Sequence, residues 1–284
     1  MNRLVELEHI SKAYANKSIL HDVSFTIFKN QVTAILGGNG AGKSTILRIV
    51  AGLERPSSGK ITYFSKGLKI GYIPERFPKH LRFTPGEYLS YVGKVSGIPD
   101  AELKKTIAHF LQRFQLDKWN RQRIMNLSKG NIQKVGIIQA ILQTPELLIL
   151  DEPVSGLDLH AQKELLAVIK ELKEQGTSIL LTYHESTVFK PIIETAYYLD
   201  KGFIAKADLT KREPIKLLEV KQIDESRVKQ WDEVLYTERK ADRLLLYVHV
   251  EHSDRILFRV LQLKGSIDRV ITIDHTEKFN NKYI

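Results

Sequence analysis

LGGNGAGKST, residues 36–45, is the stretch on which the reading of this chain turns. It fits G-x-x-x-x-G-K-[ST], with Gly37, Gly42, Lys43 and Ser44 in the fixed places. The apolar run before it, Val32 to Leu36, has the length and β-branched content of a buried strand, and ILRIVAGL after it reads as a helix ended near Gly52. In the order strand, glycine loop, helix, several backbone N–H groups converge on one concavity, and the positive end of the helix adds to the field there. A polyphosphate fits that concavity. Gly37, Gly38, Asn39, Gly40, Ala41, Gly42 and Thr45 would wrap the phosphates, Lys43 would reach the β- and γ-phosphates, and the Ser44 hydroxyl would join the shell of a Mg²⁺ ion.

Such a loop serves kinases, GTPases and ATPases alike, so what supplies the metal ligand and the base discriminates among them. LLILDEP, residues 147–153, is a buried strand that delivers Asp151 and Glu152 at its carboxyl end, where open α/β sheets place their ligands. We assign Asp151 to the metal and Glu152 to the attacking water. In LHAQKELLAVIKELKEQG, Leu165, Leu166, Ile169 and Leu172 recur at helical spacing, which puts Asp158 of the preceding VSGLD at the helix N-cap. TSILLTYH then reads as another buried strand ending at His184, either a contact for the γ-phosphate or a bystander.

With 284 residues, one large and one small domain are expected. The absence of cysteine excludes a disulfide framework and thiol catalysis. MNRLVELEHI is strand-like and mixed with charge, so no signal peptide is expected. The net charge of +10 is spread, with 26 Lys and Arg against 19 Asp and Glu up to residue 200 and 17 against 14 beyond. No basic block stands out, so nucleic acid is not an expected partner.

Taken together, these residues resemble the nucleotide-binding domain of ATP-binding cassette (ABC) proteins from about residue 2 to residue 200. GGNGAGKS is similar to the family's Walker A loop, LLILDEP to Walker B, SGLD to the D-loop, and His184 to the switch histidine. Tyr14 sits where the family stacks an aromatic residue on adenine, and LSKGNIQK, residues 127–134, occupies the place of the signature. Ser128 reads as the N-cap of a helix carrying Val135, Ile138, Ile141 and Leu142, so its first N–H groups are open to an anion. The resemblance implies that this anion is the γ-phosphate held by the opposite subunit, contacted by Ser128 and Gly130, with Asp158 in the adjoining D-loop. ATP and Mg²⁺ are then the cofactors. The partners are a second cassette, a like copy preferred to a related one, and a separate integral-membrane permease. The protein would sit peripherally at the cytoplasmic face of the cell membrane.

Two departures matter. The signature usually has a serine, two glycines and a glutamine; here Lys129 and Asn131 replace the first glycine and the glutamine, a variation similar to signatures in the exporter branch. In IGYIPERFP, residues 70–78, the Q-loop glutamine falls at Glu75, a carboxylate that could approach Mg²⁺. Between Glu75 and the signature a helical subdomain, about 77–145, is expected to meet the membrane partner. TPGE, residues 84–87, is its capping box, followed by Tyr88, Leu89, Val92 and Val95 on one face, with Phe77, Phe83 and Tyr91 as candidate contact residues. Past residue 200, RLLLYVHV, HSDRILFRVLQLKG and IDRVITIDH read as strand, helix and strand. The expected architecture is an α/β P-loop ABC cassette at 1–200, with a mainly parallel core sheet and antiparallel N-terminal strands. A small α+β domain follows at 201–284.

Overall fold

The computed structural model describes residues 2–15, 17–182, 187–207 and 215–273. They divide into two compact units, Met1–Asp208 and Leu209–Ile284.

The first unit runs β1 (Arg3–Tyr14), β2 (Lys17–Phe28), β3 (Val32–Leu36), α1 (Lys43–Val50), β4 (Ser58–Tyr63), β5 (Ile70–Ile73), α2 (Pro85–Val95), α3 (Asp100–Arg113), α4 (Lys129–Ile141), β6 (Leu147–Asp151), α5 (Leu159–Glu174), β7 (Ser178–Thr182), β8 (Thr195–Asp200) and β9 (Phe203–Ala207). Its six-stranded sheet has the order β5-β6-β7-β3-β8-β9, parallel except for the last pair. A second, antiparallel sheet, β2-β1-β4, packs into a core shared with it.

The period of two along each strand explains the layering. Leu147 and Ile149 of β6 join Ile46, Leu47 and Ile49 of α1 and the apolar residues of β1 and β2 in one core cluster. Their neighbours Leu148 and Leu150 join Val135 and Ile138 of α4, Leu165 and Ile169 of α5, and Leu89, Leu103 and Ile107 of α2 and α3 in another. Because both faces are covered, β6 is buried at all five residues, which is why it reads as an unbroken apolar run. The expected capping box is present: Thr84 accepts from the Glu87 N–H at 3.3 Å, and the Thr84 N–H donates to Glu87 at 2.8 Å.

Some expectations are corrected. Chain division falls after Asp208 rather than at 200, because β8 turns through Lys201–Gly202 and pairs back as β9. Phe77 is not a contact residue: only 9 % exposed, it fills the slot that Gly136 leaves in α4. Val95, expected on the packed face of α2, is 73 % exposed at its last turn. Phe83 and Tyr91 are exposed and stacked, with ring centroids 6.2 Å apart.

The second unit comprises β10 (Ile215–Lys221), α6 (Glu225–Val228), β11 (Val234–Lys240), β12 (Arg243–His249), α7 (Ser253–Gln262) and β13 (Ser266–Ile273). Two strands more than expected make an antiparallel sheet of order β11-β12-β10-β13. This is the βαββαβ arrangement called ferredoxin-like. Its core joins Leu218, Val220, Leu244, Leu246 and Val248 of the sheet to Ile256 and Val260 of α7.

Candidate nucleotide site

The phosphate loop leaves β3 at Gly37, whose φ of 142° lies outside the range of residues with a Cβ; a Cβ there would also meet the Leu199 carbonyl of β8. Gly38, Asn39 and Gly40 at the loop's tip are exposed, whereas Lys43, the first residue of α1, is only 5 % exposed. Its ammonium donates to the carbonyls of Gly37 at 2.8 Å and Gly38 at 3.1 Å, so the loop closes around its own lysine. The same Nζ lies 3.9 Å from Glu152 Oε1, which brings the cation and the acid assigned to the water into one site.

Asp151 ends β6 almost fully buried. Its Oδ1 accepts from the hydroxyl of Thr182, its register partner on β7, at 2.8 Å. Glu152 follows with φ at 46°, in the left-handed region that costs a residue with a Cβ roughly 1–2 kcal/mol. Its N–H is held by Thr182 Oγ1 at 3.0 Å. Burial, and after it the Asp151 carboxylate, push the Tyr72 phenol of β5 up to about 12. The oxygen donors assigned to the metal, the Asp151 carboxylate and the Ser44 hydroxyl, fit a hard cation such as Mg²⁺. Glu75 lies two residues past β5, half-exposed and paired with Arg76 at 3.6 Å. His184 lies outside the described residues.

Tyr14, at the end of β1, is tied to the phosphate-loop helix. Arg48 donates to its hydroxyl and to Thr45 Oγ1, both at 3.3 Å, and pairs with Glu54 at 3.0 Å. The Lys12 ammonium, paired with Glu54 at 2.9 Å, sits 5.0 Å from the Tyr14 ring centroid. Sequence reasoning missed this clamp, since its three charged residues follow no spacing rule. It missed Thr182 too, the hydroxyl at the end of an apolar run being the one signal available.

Signature and D-loop form a second cluster. Ser128 caps α4, accepting from the Asn131 N–H at 3.3 Å, and both Ser128 and Lys129 are exposed. Lys129 donates to Ser155 at 3.2 Å, and a Cβ on Gly130 would run into the Gly156 carbonyl oxygen. Asp158 caps α5, accepting from the Ala161 N–H at 2.8 Å, and binds Lys134 at 2.7 Å. Lys134, and after it the Ala161 N–H, hold the Asp158 carboxyl below its usual range.

Comparison with known proteins identifies the family. The family described as ABC transporter matches residues 20–155. A zinc import ATP-binding protein of Rickettsia bellii is 35 % identical over 66 % of this chain and 79 % of its own length. A linearmycin resistance ATP-binding protein of Bacillus subtilis is 31 % identical over 74 % of this chain and 71 % of its own. A solved ATP-binding subunit of an ABC transporter, 32 % identical, matches with a TM-score of 0.67 over 72 % of this chain and 90 % of its own. With relatives at this identity over most of their length, the chain belongs to the ABC transporter ATP-binding proteins.

Proposed function

We propose that this ABC ATPase subunit drives a separate integral-membrane permease in export, working as a dimer closed around two Mg²⁺-bound ATP molecules. The observation that carries the reading is the convergence of Lys43, Asp151 and Glu152 at the carboxyl end of the core sheet. Asp151 and Ser44 hold the metal, Glu152 orients and deprotonates the water, Lys43 neutralises the γ-phosphate, and Tyr14 carries the adenine. His184 is assigned to the γ-phosphate by resemblance. Ser128 and Gly130 serve the nucleotide of the opposite cassette, for which the exposure of Ser128 at the cap of a 13-residue helix is suited.

Among the described residues no helix is long and apolar enough to cross a membrane. Export is supported by Lys129 in the signature and by the relative named for linearmycin resistance, while the relative named for zinc import stands at similar identity. A tagged Glu152→Gln chain should therefore co-purify, from detergent-solubilised membranes with ATP present, with a multi-span membrane protein in stoichiometric amount. Ribosomes or nucleic acid without a membrane protein would overturn the reading. Inside-out vesicles carrying the recovered pair would then accumulate cargo if the direction is export.

Glu75 sets a smaller effect. In water-like surroundings two unit charges repel by about 1 kcal/mol at about 4 Å and by about half that at twice the separation, so a carboxylate near the γ-phosphate would slow the reaction by about two- to fivefold. Glu75→Gln is expected to raise turnover by about that factor and to shift its Mg²⁺ dependence. Steady-state ATPase assays across Mg²⁺ concentrations check this, and an unchanged pair of values removes Glu75 from the site.

A further inference from the structure

We propose that Thr182 is a positioning residue for ATP hydrolysis, one hydroxyl that sets both acids of the site. The proposal rests on the roles of Asp151 and Glu152 given above. Thr182 is fully buried at the last position of β7, where a valine would fill the same space. Its hydroxyl is used in both senses: it donates to Asp151 Oδ1 at 2.8 Å and accepts the Glu152 N–H at 3.0 Å.

The two bonds do different things. The donated bond fixes the rotation of the Asp151 carboxylate and leaves Oδ2 as the oxygen not engaged by the hydroxyl, so the ligand offered to the metal is oriented before it arrives. The accepted bond holds the N–H of a residue whose φ is 46°, a conformation that its own β-carbon resists. It thereby helps aim the Glu152 side chain back toward Lys43, whose Nζ lies 3.9 Å from Oε1. Because Asp151 and Thr182 are register partners, the parallel ladder itself sets the distance. Removing the hydroxyl leaves a buried Asp151 oxygen and a strained N–H without it, while the apolar surroundings of the side chain stay filled.

The experiment compares Thr182→Val, Thr182→Ser and Thr182→Ala in the full chain, by ATPase kinetics and by calorimetric ATP binding with and without Mg²⁺. Thr182→Val is expected to lower kcat by about 10- to 100-fold with KM for ATP within about threefold. It should also shrink the gain in ATP affinity that Mg²⁺ brings, with Mg²⁺-free binding unchanged. Thr182→Ser should restore both. Should Thr182→Val fail to fold, the serine and alanine variants share the loss of the methyl group and differ only in the hydroxyl, so a kcat ratio of about tenfold or more between them supports the proposal. Equal kcat and equal Mg²⁺ gain in serine and alanine, or a valine variant with wild-type kcat and Mg²⁺ gain, overturns it. A wild-type chain in which Mg²⁺ brings no gain in ATP binding overturns the functional reading as well.

Discussion

With glutamine in place of Glu152, ATP turnover falls by about 100- to 1,000-fold while ATP affinity stays within about threefold. The amide keeps the shape of the side chain and leaves the backbone bond from the Glu152 N–H to Thr182 in place. What is lost is a carboxylate able to take the proton of the attacking water. Lys43, 3.9 Å away, loses a nearby counter-charge and turns more fully to phosphate, so binding does not weaken. If hydrolysis is what parts the two cassettes, the variant accumulates a dimer in ATP. Size-exclusion chromatography with ATP, and again after chelation of Mg²⁺, measures this together with the turnover assay. A glutamine variant that hydrolyses ATP at the wild-type rate would place the base elsewhere.

Lys43→Ala produces the converse result, a loss of binding. Lys43 is 5 % exposed and its ammonium is already held over the loop by the Gly37 and Gly38 carbonyls, so little ordering is left to do when phosphate enters. Charge-assisted hydrogen bonds contribute about 1.5–3 kcal/mol each, and the loss of two weakens ATP binding by about 100-fold or more. Saturating ATP raises the melting temperature of the wild type but not of this variant, which differential scanning fluorimetry reads directly. Since the same ammonium satisfies two loop carbonyls, the variant should also melt a few degrees lower without nucleotide. A nucleotide-dependent shift retained in full would show that the backbone N–H groups of the loop suffice.

The parts of the fold legible in the sequence were those in which burial on two faces or a capping side chain dictates the residue type. β6 up to Asp151 is an unbroken apolar run, and β3 is one but for Thr33, because both faces of the core sheet are covered, and Thr84, Ser128 and Asp158 were readable as caps because orphan N–H groups demand an oxygen there. The second unit was half read. β11, VLYTERK, is an edge strand with no fully buried position, and α6 is a single turn, so neither leaves a periodic pattern. Phe77 was misjudged because its burial depends on a residue far along the chain. Gly136 inside an otherwise sound helix was the clue, since a glycine there is costly unless something needs the room. Lys43, Asp151 and Glu152 were found from motifs, but the geometry that makes them a site was not. A left-handed φ at a glutamate and a threonine serving two acids are properties of strand register, which a single strand's sequence does not contain.

The contact between Gly130 and the Gly156 carbonyl also says where this cassette is free to diverge. Lys129 and Asn131 flank Gly130, and both have space for a side chain: the lysine lies along the D-loop to Ser155, and the asparagine remains partly exposed on the first turn of α4. At Gly130 any substitution must first push the D-loop backbone aside. The two positions beside Gly130 that have room for a side chain are the two at which this chain departs from the pattern expected from the resemblance. If a second cassette docks on this face as proposed, positions 129 and 131 are the two at which side chains can be exchanged without moving the Gly156 backbone.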